Sequence, residues 1–493
     1  MVLLRRLLDA ASVLHVRGST DIDIRDIVYD SRAAGAGSVF VAMPSARAGA
    51  PSGASHAREA VERGAVAVVS QEPLNLDEGT TILTQNARHA LADMAAEFYG
   101  NPSHSMHVFA VTGTDGKTTT TYLLEQILAH AGFCTGLVGT VEIKIADRRE
   151  RNLDRMTTPE SLDIQRLLRT MADSGVTHAA LEASSHALAL ERLRACEFDV
   201  CALTNITTDH IEFHGSADDY FSAKASLFKE LAQGRPAVLN RDDSSFERLE
   251  PLIAGPVCSY GVNTRAHVRA TGVEAFPEGS RFLLEAGGAM VPCSIRIVGD
   301  FNVYNALAAA SLALCAGVDL STVAAALENA EPPPGRMQRV TGGDVTVVVD
   351  YAHTVRAFEL VLSNLRRRTE SPRRLIAVFG AAGDRDRAKR PLLARLAREY
   401  TDFFVVTNED PYHEEPEAIM CEIVTGVQEE ERGIRFLQEP DRGLAIRRAV
   451  KWARPGDTVV VLGKGHEQSI VVDDRKEPWN DVMVVQQALD EIR

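Results

Sequence analysis

At 493 residues the chain favours about three domains and is too long for a single small binding module. Apolar residues make up 45% and charged residues 25%, which excludes a wholly disordered chain. A net charge of −15 excludes general affinity for nucleic acid, although a local basic cluster can still hold a small anion such as a nucleotide. The opening MVLLRRLLDAASVL interrupts its leucines with Arg5, Arg6 and Asp9. It therefore lacks both the unbroken apolar core of a signal peptide and the roughly 20 apolar residues of a membrane span. Leu3, Leu4, Leu7 and Leu8 instead predict the buried stripe of a first helix. No stable membrane insertion is expected, and seven scattered cysteines without a CxxC pair fit reduced thiols in a cytoplasm. Short strands follow at 38–43 and 65–70, with an Ala-rich helical pattern between them.

Asn101-Pro102 is a turn pair, and behind it comes a strand at 108–111. The strand runs into Gly113-Thr114-Asp115-Gly116-Lys117-Thr118-Thr119-Thr120, which opens a helix. Gly113 and Gly116 let consecutive N–H groups point inward, the helix start adds its dipole, Lys117 adds a point charge, and Thr118 can hold Mg²⁺. Val111 stands where the full phosphate-loop pattern has its first glycine. The context favours binding of a nucleotide triphosphate over a mere Gly-rich turn. By itself it does not choose between a motor, a switch, a kinase and a ligase, but no NKxD guanine signature is present.

Pro332-Pro333-Pro334-Gly335 cannot continue a helix and marks a junction. Beyond it one phrase repeats: a short β-branched run, a polar loop, then a helical pattern. The runs at 346–349, 375–379, 403–407 and 458–462 lead into DYAHT, GAAGDRD, NEDPY and GKGHE. Strands alternating with helices predict a parallel sheet. Ligands bind at the carboxyl ends of such strands, where all four charged loops fall.

Taken together, GTDGKTTT, TTP (157–159), EASSH (182–186), TNITTDHIEFHG (204–215), Lys224 in YFSAK, GDFNVYNALAA (299–309), GRMQ (335–338), DYAHT (350–354), GDRDRAKRP (383–391) and GKGHE (463–467) resemble the Mur ligases, in that family's order. Asp30-Ser31-Arg32 looks like the uridine-binding turn of the UDP-N-acetylmuramoyl-tripeptide synthetases within it. The resemblance spans essentially the whole chain. It implies an α/β fold of three domains: a parallel or mixed-sheet UDP-sugar-binding domain (1–103), a central phosphate-loop ATPase domain (104–334) and a Rossmann-like amino-acid-binding domain (335–493). It also implies an ATP-dependent ligase of peptidoglycan synthesis. Such an enzyme phosphorylates the carboxylate of a UDP-MurNAc-dipeptide to an acyl phosphate, which the amine of a free amino acid then attacks. The alternative is a ligase of the same type recruited to another carboxylate, folate-like or from secondary metabolism. A nucleotide-dependent scaffold, the second alternative, would have no use for GDRD or GKGHE.

The implied residue roles follow the motifs. ATP belongs to Gly113, Thr114, Asp115, Gly116, Lys117, Thr118 and Thr119, with Asn302, Asn305 and Arg336. For the two asparagines, helix capping is an equal alternative. Mg²⁺ belongs to Thr118 and Glu182, and a second Mg²⁺ to His210 and a CO₂-derived carbamate on Lys224, which converts a cation into an oxygen ligand. Lys117, Lys224, His210 and Asp350 are the implied catalytic set. Asp30, Ser31, Thr157, Thr158, Ser184 and Arg192 are assigned to the UDP-sugar-peptide. Arg390, Glu409, Asp410, Tyr412, Gly463 and Glu467 are assigned to the amino acid, and a monomer is expected. The sequence departs from the family pattern at Ala187, Leu190 and Val355. It also reads Glu409-Asp410-Pro411-Tyr412 where meso-diaminopimelate-adding enzymes carry DNPR. Tyrosine cannot neutralise a carboxylate, and Glu414 and Glu415 stand beside it, so the charge pattern favours a lysine-like amino acid slightly over meso-diaminopimelate.

Overall fold

The computed structural model describes residues 2–45, 51–152, 156–207, 209–229, 231–232, 234–342 and 344–491. It divides into two compact units, residues 1–267 with 308–319, and residues 268–307 with 320–493.

In the first unit, Leu4, Leu7 and Leu8 form the buried face of the helix Leu4–Ala10, as their spacing predicts. Leu3 falls instead in the short strand Val2–Leu3, paired with Asp23–Ile24. A five-stranded sheet runs in the order Val13–Arg17, Thr80–Thr84, Ala65–Ser70, Ser38–Ala42 and Asp26–Val28. The helix Ala87–Tyr99 packs its alanines, Leu91 and Met94 onto the same core as Val39, Val41 and Val69.

The same unit holds six parallel strands in the order Thr135–Val138, His178–Glu182, His107–Thr112, Val200–Leu203, Ala237–Asn240 and Val257–Gly261. The hairpin Glu142–Ile145 and Arg148–Arg151 extends the first edge antiparallel. The strand His107–Thr112 is the earliest of the six in the chain and lies between later strands on both sides. The winding reverses there, and a crevice opens at its carboxyl end.

In the second unit, Val268–Phe276, Gly279–Ala286 and Ala289–Ile295 form an antiparallel meander. A six-stranded sheet runs in the order Gln338–Gly342, Val345–Asp350, Thr458–Leu462, Leu375–Phe379, Phe403–Thr407 and Phe436–Glu439. All but the first pairing are parallel. Val347, Val349, Val378, Val405, Val459 and Val461 are buried against helices, the continuous apolar run that a doubly covered parallel sheet requires. The four charged loops therefore leave the same end of this sheet. Among the described residues, no helix is long and apolar enough to cross a membrane.

Candidate active site

The phosphate loop leaves the central strand at Gly113, whose φ of +147° is closed to other residues. A Cβ there would lie 1.8 Å from Thr204 Oγ1. Gly116, at φ +87°, begins the helix Lys117–His130. Thr204 and Asn205 brace the loop. The Thr114 N–H donates to the Asn205 carbonyl at 2.8 Å, the Asp115 N–H to Asn205 Oδ1 at 3.1 Å, and Thr204 Oγ1 to the Asp115 carbonyl at 2.6 Å. Lys117 Nζ donates to the carbonyls of Gly113 and Thr114, each at 2.9 Å, so its charge sits over the loop. Thr118 and Thr119 are buried in the first helical turn.

Lys224 comes from the helix Ala217–Lys229 and is buried, with its Nζ donating to the same Gly113 carbonyl at 2.6 Å. The amine also lies 4.6 Å from the centre of the Tyr220 ring. Burial, reinforced by the nearby Lys117 charge, holds its pKa well below the usual lysine range. A neutral amine is the form that combines with CO₂, so this setting fits a carbamate.

Glu182 ends the strand beside the loop and is buried. Its Oε2 accepts from Thr118 Oγ1 at 2.9 Å and from Thr140 Oγ1 at 2.9 Å, and its Oε1 accepts from the Thr140 N–H at 2.8 Å. Thr118 and Glu182 present hard oxygens to one point, the donor set that Mg²⁺ prefers when phosphate and water complete its shell. Among the described residues no group of three or more His, Cys, Asp or Glu could hold a metal by itself. His210, at φ +52°, is partly exposed, with its ring 4.8 Å from that of His186. Burial and the neighbouring His210 and His214 hold His186 down at about 4.

Of the residues assigned to the sugar-peptide, Thr157, Thr158, Ser184 and Arg192 gather around the same strand end. Thr157 Oγ1 lies 3.0 Å from Thr140 Oγ1. Thr158 Oγ1 donates to the Glu182 carbonyl at 2.7 Å and accepts from the Ser184 N–H at 3.1 Å. Arg192 donates to the Thr158 carbonyl at 3.1 Å and pairs with Glu160 at 3.3 Å. Arg88, unremarked in the sequence, also reaches Glu160 at 3.5 Å and the Pro44 carbonyl at 3.0 Å. Asp30 caps the turn Ser31–Ala33 and pairs with Arg32 at 2.7 Å, while Ser31 donates to Glu59 at 2.9 Å. Thr140 was also missed, and its place just beyond the end of a parallel strand was the available signal.

In the second unit, buried Asp350 accepts from the N–H groups of Met337 and Ala352 at 2.7 and 2.8 Å, tying GRMQ to DYAHT. The Arg336 guanidinium lies 4.6 Å over the Tyr351 ring. Asn302 donates to the Val298 carbonyl at 2.8 Å and Asn305 to Asn302 Oδ1 at 2.8 Å, local contacts at the start of the helix Phe301–Cys315.

The loops after Thr407 and Leu462 interlock. Lys464 is fully buried and its Nζ pairs with Asp410 at 2.7 Å and with Glu467. Glu409 is buried, and burial raises its carboxyl pKa against the pull of Lys389, Arg442 and Lys464. A Cβ on Gly463 would lie 2.2 Å from Glu409 Oε2, which explains that glycine. Tyr412 adopts φ +48°, and Arg385 lies 5.0 Å over its ring.

Arg390, which the resemblance assigns to the amino acid, lies in the helix Lys389–Tyr400. Its side chain is fully buried, donating to Glu414 at 2.9 and 3.0 Å and to Glu422 at 2.7 Å. Its guanidinium thus stands between two carboxylates, and Arg385 of the preceding loop lies beside Tyr412. The charge reading of Glu414 is corrected by the same contacts. Arg390 and Arg387 neutralise that carboxylate, and the Arg390 hydrogen bonds hold its pKa down at about 2.

A phosphate loop at the switch point of a parallel sheet, with cations over the loop and hard oxygens beside it, defines a nucleotide-dependent transferase or ligase. The chain matches the Mur ligase middle domain over residues 111–313 and the Mur ligase glutamate ligase domain over residues 335–465. It is 43% identical over 491 residues to the UDP-N-acetylmuramyl-tripeptide synthetase of Roseiflexus sp. (strain RS-1), covering 95% of each chain. It is 40% identical over 476 residues to a UDP-N-acetylmuramoyl-L-alanyl-D-glutamate–2,6-diaminopimelate ligase of Geobacillus kaustophilus, again covering 95% of each. A solved structure of a ligase of that description matches with a TM-score of 0.71 and 28% identity, over 100% of this chain and 99% of the other. The chain belongs to the Mur ligase family of ATP-dependent, amide-forming ligases.

Proposed function

We infer that this protein joins a diamino acid to the free carboxylate of UDP-N-acetylmuramoyl-L-alanyl-D-glutamate, at the expense of ATP, in peptidoglycan synthesis. The full-length likeness to tripeptide synthetases supports the substrate. The observation that carries the chemistry is Lys117 on the carbonyls of Gly113 and Thr114, a cation held over the phosphate loop. The difficulty of the first step is to bring a carboxylate up to a triphosphate, and fixed cations and N–H groups relieve that repulsion. In this reading Lys117 and the loop hold the phosphates, while Thr118 and Glu182 hold Mg²⁺, which screens the transferred phosphoryl group. A carboxylate oxygen bonds to the terminal phosphorus as ADP leaves. The amine then bonds to the acyl carbon, phosphate leaves, and the nitrogen gives up a proton. Lys224 is read as carbamylated, an acid function made from a buried neutral amine, and His210 as its neighbour in the second cation site.

The residues around Glu182 (Thr157, Thr158, Ser184 and Arg192) are read as holding the peptide end of the acceptor, and Asp30 and Ser31 its uridine. Glu409, Asp410, Tyr412, Gly463 and Glu467 are read as the amino-acid pocket, with Arg385 in place of Arg390. With Glu414 neutralised, one of the two acids that favoured a lysine-like substrate is taken out of the balance. Arg385 beside Tyr412 supplies a cation for a distal carboxylate, so meso-diaminopimelate is the favoured amino acid. The enzyme is read as a cytoplasmic monomer whose parts, 1–103, 104–334 and 335–493, bind the UDP-sugar, ATP and the amino acid. The test is phosphate release from ATP with UDP-MurNAc-L-Ala-D-Glu and, in turn, meso-diaminopimelate and L-lysine. Release that requires both the nucleotide sugar and the amino acid, and is faster with meso-diaminopimelate, is expected. Release without the nucleotide sugar refutes the reading.

A further inference from the structure

Thr140 stands between the two halves of the central site. It follows the strand Thr135–Val138 and Gly139, and its hydroxyl lies 2.9 Å from Glu182 Oε2, 3.0 Å from Thr157 Oγ1 and 3.5 Å from Thr118 Oγ1. On one side is the pair Thr118 and Glu182, and on the other the threonine assigned to the acceptor. A hydroxyl has one proton to give and two lone pairs to receive with. The Thr140 proton can therefore go to Glu182 or to Thr157, but not to both. Thr118 already donates to the same Glu182 oxygen at 2.9 Å.

We propose that Thr140 is a positioning residue that couples nucleotide binding to acceptor binding by switching this one proton between Glu182 and Thr157. The proposal rests on the assignment of Thr118 and Glu182 to the nucleotide's Mg²⁺ and of Thr157 to the UDP-peptide. Once Glu182 Oε2 and Thr118 Oγ1 turn their lone pairs to a cation, Glu182 is a poorer acceptor for Thr140. The Thr140 proton then turns to Thr157 Oγ1. Thr157, now accepting from within the site, has its own proton free for an oxygen of the acceptor. In the other direction, an acceptor oxygen that takes the Thr157 proton draws the Thr140 proton after it and frees Glu182. Coupling of this kind is reciprocal by thermodynamic necessity.

The arrangement also predicts which part of Thr140 matters. Its backbone N–H holds Glu182 Oε1 at 2.8 Å whatever the side chain, and Thr118 still serves Oε2, so removing the hydroxyl leaves no carboxylate oxygen without a donor. Thr140→Val is nearly isosteric and removes only the switch, whereas Thr140→Ser keeps the hydroxyl and loses a methyl.

The experiment is calorimetric titration of UDP-MurNAc-L-Ala-D-Glu into the whole protein, with and without Mg²⁺ and a non-hydrolysable ATP analogue. In the wild type the nucleotide should tighten acceptor binding by a factor within the usual range for coupled sites, about 5–150-fold. In Thr140→Val each ligand should still bind alone, but the coupling should fall below about twofold, and Thr140→Ser should restore it. Thr157→Val should lose the coupling equally, and the double variant should lose no more, because both act on one hydrogen bond. Wild-type coupling retained in Thr140→Val overturns the proposal, as does absence of coupling in a wild type that binds both ligands. A wild type that binds no UDP-peptide overturns the underlying assignment, and the coupling with it.

Discussion

The sharpest perturbation of the nucleotide site is a single methyl group at Gly139. A Cβ built there lies 2.4 Å from Glu182 Oε1 and 3.2 Å from its carboxyl carbon, where ordinary contact begins at 3.4 Å. Gly139→Ala therefore drives the carboxylate back by about 1 Å, and a misplacement of that size at a reacting centre costs on the order of 100-fold in rate. The retreat pulls Oε1 from the Thr140 N–H and Oε2 from Thr118, so the two hard oxygens no longer converge. The expected result is a loss of about 100-fold in kcat/KM, some 2.7 kcal/mol, with a raised Mg²⁺ requirement. Phosphate release followed across a Mg²⁺ titration measures both. Gly136→Ala, in the strand that leads into Gly139, is the matched control. Its Cβ would meet the Met171 thioether at 2.6 Å, a flexible group that can repack, so its Mg²⁺ dependence should stay as in the wild type. Activity of Gly139→Ala within about threefold of wild type would show that a 1 Å shift of Glu182 is immaterial and that it is not a cation ligand.

Lys117→Ala should cost on the order of a thousandfold in turnover, because it removes a preorganised charge from the transferring phosphate; a loss of only a few-fold in the same assay would exclude this loop from the chemistry. Lys224 makes stability depend on pH. Its native pKa lies below the unfolded lysine value of 10.5, so the unfolded chain binds more protons in that interval and stability rises with pH across it. In CO₂-free buffer the thermal midpoint of the wild type should therefore gain on that of Lys224→Met as pH rises towards 10, and parallel curves would refute the depressed pKa. Glu414→Ala removes one of the two carboxylates around buried Arg390, and urea unfolding should show a loss towards the lower end of the roughly 3–5 kcal/mol for a broken buried pair, since Glu422 remains. A loss within experimental error would return Arg390 to the set of ligand-facing arginines.

What the sequence disclosed tracks the range of the interactions. The strands at 375–379, 403–407 and 458–462 were legible to the residue, because an apolar run between polar loops is a local signal. The phosphate loop was legible for the same reason. The antiparallel meander at 268–295 was not, since its exposed face breaks the apolar run. Non-local pairing was invisible. Nothing within GDRDRAKRP shows that Arg390 turns inward to Glu414 and Glu422, 24 and 32 residues away, while Arg385 stays beside Tyr412. Thr140 and Arg88 escaped because their partners lie in segments distant in the chain.

Two buried lysines show how the same side chain is put to different uses. Lys464 has Asp410 at 2.7 Å and Glu467 on its amine, so its charge is matched inside the protein and the ion pairs lock two loops together. Lys224 has a carbonyl and an aromatic face, which can solvate an amine but cannot neutralise a charge. Burial and the Lys117 charge therefore hold its pKa below the usual lysine range, and the neutral amine so favoured is the form that combines with CO₂. In the proposed reading, carbamylation would replace the cationic form with an anion suited to a second Mg²⁺. Protein equilibrated with ¹³C-bicarbonate should accordingly give one carbamate carbonyl resonance. Lys224→Ala should remove that resonance and abolish turnover, with no rescue by bicarbonate and partial rescue by a short carboxylic acid. Lys464→Met should keep the resonance and lower the thermal midpoint. A resonance that survives Lys224→Ala, or full activity of that variant, would mean that the buried amine serves the fold alone.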